Sequence, residues 1–174
     1  MNATVVLMLQ VLASATVAAQ TPSKWCEYVP RSTKDILAHA HLGDSADVDF
    51  SGGQFPSRVT LRYTGNTRSL SSHRQRFLSD YSKVIGMVGM DTLFRHEVEF
   101  APSADTSYWF PIQEATLKDL QSELAPGDTS TLFLVWAGSY RRLTAPRGYV
   151  FLINEFTSRR SADGWNEALA TCGH

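Results

Sequence analysis

Residues 132–153 read LFLVWAGSYRRLTAPRGYVFLI, and two runs within them decide the fold. Leu132-Phe133-Leu134-Val135-Trp136 and Tyr149-Val150-Phe151-Leu152-Ile153 are unbroken apolar stretches of strand length. A strand with one wet face alternates in polarity, whereas a strand covered on both faces does not. The connector, residues 138–148, is polar and carries Pro146. The two runs are therefore expected to pair as an antiparallel hairpin at the centre of the fold.

Upstream, Leu117, Leu120 and Leu124 form one stripe of a helix over 114–124. Glu114 and Lys118 have the spacing to pair along it, and Pro126-Gly127 closes it. Two strands precede this helix, at about 92–101 and 107–112, joined by the hairpin-like stretch APSADT. In the first of them Phe94, Val98 and Phe100 share one face, and Arg95, Glu97 and Glu99 share the other. A helix over 71–85 places Phe77, Tyr81 and Val84 together, with Leu78 and Ile85 beside them. Residues 58–64 alternate cleanly, with Val59, Leu61 and Tyr63 inward, and Gly65-Asn66 breaks the strand. Before it lie at most a short strand at 48–50 and a short helix after Pro30, capped by Ser32 or Thr33. A final helical turn near Asp163 aligns Trp165, Leu169 and Cys172.

This order implies an α+β fold. It is either a strongly curved antiparallel sheet or a small OB-like barrel, with about five strands and two to three helices. A helix between the third and fourth strands suits the barrel. The extra helix after the first strand suits it less, and a curved sheet on two helices is the plainer alternative.

Four segments, Tyr108-Trp109-Phe110-Pro111-Ile112-Gln113, Pro126-Gly127-Asp128, Phe133-Leu134-Val135-Trp136-Ala137-Gly138 and Phe151-Leu152-Ile153-Asn154-Glu155-Phe156, carry a resemblance. Over roughly residues 58–156 the chain resembles small secreted bacterial domains of unknown function. The resemblance implies a bacterial, periplasmic setting. It transfers no activity and no catalytic residue.

The first 19 residues are uncharged and mostly apolar, and they end on Val17-Ala18-Ala19. That pattern reads as a signal peptide over 1–19 followed by one α+β domain over 20–174, secreted or periplasmic, although the usual basic flank is missing. The stretch falls short of the ~20 apolar residues a membrane span needs, and no later segment reaches that length. The remaining ~155 residues suffice for one core. The formal net charge is −1, without the basic excess that nucleic acid or an anionic membrane surface would want. In an oxidising compartment Cys26 and Cys172, the two cysteines of the chain, are expected to form a disulfide; closing that loop is worth roughly 4–5 kcal/mol in the chain-entropy account.

Candidates for chemistry are few. His96 shares parity with the apolar face of its strand, and Glu155 ends the last strand. Together they are the weak catalytic candidates. Trp109, Tyr140, Arg141 and Arg142 are ligand-binding candidates: an aromatic platform beside a basic tip suited to an anion or a sugar. His39 and His41 lack metal-ligand spacing on a helix, so no metal and no cofactor is expected. The expectation is a secreted or periplasmic, non-enzymatic binding or accessory domain, with an envelope protein or glycan as partner. The alternatives are a hydrolase of envelope polymers or small esters and an oligosaccharide- or peptide-binding barrel.

Overall fold

A computed structural model describes residues 24–40, 47–51, 55–141, 148–158, 162–170 and 172. In chain order their strands are β1 (Val29–Pro30), β2 (Val48–Phe50), β3 (Ser57–Ser69), β4 (His96–Ser103), β5 (Thr106–Ile112), β6 (Thr129–Tyr140) and β7 (Gly148–Phe156). The helices are α1 (Thr33–His39), α2 (Ser72–Ile85), α3 (Met90–Leu93), α4 (Glu114–Glu123) and α5 (Ala162–Ala170), and a 3-10 turn spans Lys24–Glu27.

Strands β3, β4, β5, β7 and β6 form a closed five-stranded barrel, because β3 pairs with both β4 and β6. The neighbours are antiparallel except β5 and β7, which run parallel. With α4 between β5 and β6, this is an OB-like order. The extra helix that suits the barrel plan less is an insertion: α2 and α3 sit between the first two barrel strands.

The central hairpin forms as expected and is longer. It is paired from Tyr140↔Gly148 to Leu132↔Phe156, with irregularities at Phe133/Leu134 and Trp136/Gly138. Its continuous apolar character has a structural cause. Leu132 and Leu134 face the barrel interior, while Ala137, Val150 and Leu152 face a second core outside it. Phe133, also outside, is covered by the rings of Trp25, Tyr28 and Trp165. A disulfide between Cys26 and Cys172, with Cα atoms 5.1 Å apart, ties these two terminal segments together.

Inside the barrel, Val59, Leu61, Val98, Phe100, Phe110, Ile112 and Ile153 pack with Leu117 and Leu120 of α4 and Ile36 of α1. A fully buried side chain such as Leu120 contributes roughly 1.5–3 kcal/mol. Ser32 caps α1 through a capping box with Asp35. The Glu114–Lys118 ion pair forms at 2.8 Å.

Three expectations are corrected. Residues Gly65-Asn66 bend β3 and do not end it. Gly65 takes a φ of 89° and lies so close to Pro126 that a Cβ would stand 2.7 Å from its Cγ. This corner lets one strand pair with β6 along its first half and with β4 along its second. Phe94 does not belong to the strand. Met90–Leu93 form one helical turn, and Phe94 turns into the second core under α2. Val84 is 61% exposed, because α2 buries only its Phe77, Leu78 and Tyr81 side.

Candidate functional site

Parallel strands β5 and β7 share a single register pair, Ile112↔Ile153. Upstream of it nothing pairs them among the described residues, and a cleft of about 410 Å³ occupies the seam. Tyr108, Trp109 and Phe110 of β5 form one wall, and Tyr149 and Phe151 of β7 form the other. Ile36 and Leu37 of α1 border it, and Arg68 and Arg74 are its only charged lining residues among those described.

Backbone geometry opens this seam. Pro111 stands opposite Glu97 and has no N–H, so it cannot belong to a hydrogen-bonded pair with β4. Trp109, two residues earlier, has the same parity and also directs its peptide groups away from β4. Its carbonyl accepts Arg74 Nη1 at 2.9 Å, in place of a strand partner.

Behind the arginines lies Glu97, which is fully buried. Arg68 Nε donates to its Oε2 at 2.7 Å, and Arg74 Nη1 donates to its Oε1 at 2.5 Å. The Arg68 guanidinium lies 3.9 Å from the centroid of the Trp109 ring. Its side chain remains half exposed and lines the cleft. One carboxylate and two guanidiniums make up this cluster, and the neighbouring Glu99 carboxylate also feels the Arg68 charge. Buried charge demands such pairing.

The next outward residue on β4, Glu99, accepts Ser107 Oγ at 2.5 Å, Asn66 Nδ2 at 2.7 Å and Thr64 Oγ1 at 2.9 Å. These donors, Ser107 first, hold its carboxyl below the ordinary glutamate range.

The candidates read from sequence scatter. Trp109 lines the cleft. Tyr140 does not join it: the ring is buried against Phe77 and over Gly148, because α2 packs on that end of β6. Arg141 is exposed, its backbone N–H bound to the Asp47 carbonyl at 2.8 Å; Arg142 lies outside the described residues, as do His41 and residues 1–19. His96 opens β4, half-buried between Ser69 and Ile112. Glu155 stands opposite Phe133 on β7, and its Oε1 accepts the Phe156 N–H at 3.1 Å. Neither lines the cleft, nor the cavity beside Met90 and Phe94, nor the one beside Arg31 and Arg58. Trp136 packs edge-on to His39. Among the described residues no group of three or more His, Cys, Asp or Glu is placed to hold a metal.

Sequence reading missed Arg68, Arg74 and Glu97. It placed Glu97 on the wet face of its strand. The side chain does point out of the barrel, but α2 and Arg68 cover it. The one local signal was alternation of Glu97 and Glu99 on a strand whose neighbour carries Arg68; their register depends on the bend at Gly65, which local pattern does not reveal.

No helix among the described residues is long and apolar enough to cross a membrane, which leaves β-barrel membrane proteins unaddressed. Compared with known proteins, the chain matches no family model, no curated protein and no solved structure.

Proposed function

We propose that this protein is a secreted or periplasmic binding domain, non-enzymatic, whose β5–β7 cleft takes a short extended segment of an acidic peptide. The observation that carries the reading is the lining of the cleft: aromatic walls with Arg68 and Arg74 as the charged groups and their shared carboxylate buried behind them. A strand edge favours a peptide, since an added strand satisfies peptide groups while alternate side chains enter pockets. The guanidiniums favour carboxylates on that segment. An oligosaccharide would stack on an open tryptophan face, and Arg68 already covers one face of Trp109. The hydrolase reading draws no support from His96 and Glu155, neither of which lines the cleft. The apolar leader over 1–19 and the Cys26–Cys172 disulfide support an oxidising compartment, where an envelope protein would be the natural partner.

The test is fluorescence titration with a blocked hexapeptide of alternating Glu and Val, with its Lys/Val counterpart, a chito-oligosaccharide and oligothymidine as comparisons. Saturable binding of the Glu/Val peptide is expected, weakened about tenfold by Arg68→Gln, a loss of roughly 1.4 kcal/mol. Equal binding of the Lys/Val peptide, or binding of only the sugar or the oligonucleotide, would reject the reading.

A further inference from the structure

We infer that a second site, bounded by β1, β3, β6 and α5, binds a tetrahedral oxyanion: the phosphate or sulfate group of a small ester or a lipid. It shares no lining residue with the β5–β7 cleft among the described residues, and it does not depend on the reading of that cleft.

Strand pairing assembles the site. β1 runs parallel to the start of β3, and the Arg31 backbone N–H donates to the Arg58 carbonyl at 3.0 Å. This bond holds the Arg31 backbone against β3, and both arginines line one cavity. Val59 and Leu61 point into the barrel, so Arg58 and Thr60 point out of it. Thr131 stands opposite Thr60 on β6, their hydroxyls 3.0 Å apart. Pro30 and Leu169 complete the wall of a shallow cavity of about 440 Å³. Among the described residues its lining therefore offers two guanidiniums, two hydroxyls and no carboxylate.

Two orphaned atoms point to a ligand. Arg31 Nε and Arg58 Nη1 are both closed off from solvent, and neither has a hydrogen-bond partner. Buried donors are nearly always satisfied, so an orphan on each of two arginines that line one cavity leaves both guanidiniums short of an acceptor. Arg31 is not free to swing away in search of one, because its guanidinium is stacked 3.9 Å over the Phe55 ring. Asp35, a carboxylate whose charge reaches Arg31, is already held by the Ser32 N–H and hydroxyl at 3.2 and 2.7 Å. Two cations lining one cavity repel each other, and an anion bound between them reduces that repulsion. Arginine forks match the oxygens of phosphate and sulfate in pairs. A tetrahedral group has oxygens enough for both forks and the threonine hydroxyls, whereas a carboxylate has two. The open side of the cavity leaves room for the alcohol part of an ester.

Isothermal titration with inorganic phosphate, inorganic sulfate and acetate at constant ionic strength tests the site. Vesicles of phosphatidylcholine with and without phosphatidic acid test the lipid source. Phosphate or sulfate is expected to bind saturably, in the millimolar range or tighter, and more tightly than acetate. Arg31→Gln and Arg58→Gln should each weaken binding about tenfold, and Arg58→Lys, which keeps the charge without the fork, should fall between. Arg76→Gln, at an exposed position of α2, should change nothing. Without anion, Arg58→Gln should be at least as stable to urea as the natural chain, because it removes a buried donor that has no partner. Binding to phosphatidic-acid vesicles without binding of the free ions also supports the site and assigns the oxyanion to a headgroup. The site is overturned if neither free ions nor vesicles bind, if acetate binds as tightly, or if Arg76→Gln weakens binding as much as Arg58→Gln.

Discussion

Glu97 and Glu99 are two residues apart on one strand face, yet they live in different surroundings. Glu97 is sealed between Arg68 and Arg74, and α2 supplies the second of these. Glu99 stays partly exposed and is held by three neutral donors. Those donors stabilise its charged form in the folded state only, so its folded pKa lies below its unfolded value near 4.3. The sign follows: Glu99 adds stability above the unfolded pKa, and that stability is lost as pH falls through the folded pKa. Glu99→Gln should therefore cost most near neutral pH and cost progressively less in acid. Urea midpoints of both proteins between neutral and strongly acidic pH check this, and a gap that does not narrow on acidification refutes it. That both residues are acidic and share a strand face is legible in the sequence. Which one is buried is not, because the covering arginines come from other elements.

Among the elements, β2 shows how one position governs docking. It pairs with β6 at Val48↔Tyr140, Asp49↔Ser139 and Phe50↔Gly138. At Gly138, φ is 137°, and a Cβ there would stand 2.0 Å from the Asp49 carbonyl oxygen. Any side chain must push β2 away or strain the backbone. Gly138→Ala should cost about 1–3 kcal/mol. Hydrogen exchange should accelerate at the Ser51 amide, whose bond to the Ala137 carbonyl depends on this docking. Unchanged exchange there would show that β2 docks without needing the glycine. The docking role of Gly138 is not legible in the sequence, since it depends on a strand just under ninety residues earlier in the chain.

Across the whole molecule, the disulfide joins segments 146 residues apart and clamps the aromatic cover of Phe133. Closing so long a loop lowers the entropy of the unfolded chain by an amount worth about 5 kcal/mol at most, with native strain reducing it. The Cys26→Ser, Cys172→Ser double variant should lose roughly 2–5 kcal/mol in urea unfolding. Tryptophan fluorescence should shift at lower urea than far-ultraviolet dichroism, because Trp25 and Trp165 sit in the released segments. Coincident transitions with unchanged stability would refute this role.

The sequence by itself determined the central hairpin, α4, the α1 cap and the pairing of its two cysteines. Each rests on local periodicity, on a short-range cap, or on there being one possible partner. Tertiary structure alone decided that β3 continues past Gly65 to close the barrel, that Tyr140 is buried under α2, and that Glu97 is covered. It also decided that Arg31 and Arg58 meet with Thr60 and Thr131. These depend on register and docking between distant segments, where the free energy comes from surfaces that meet only once the chain has closed.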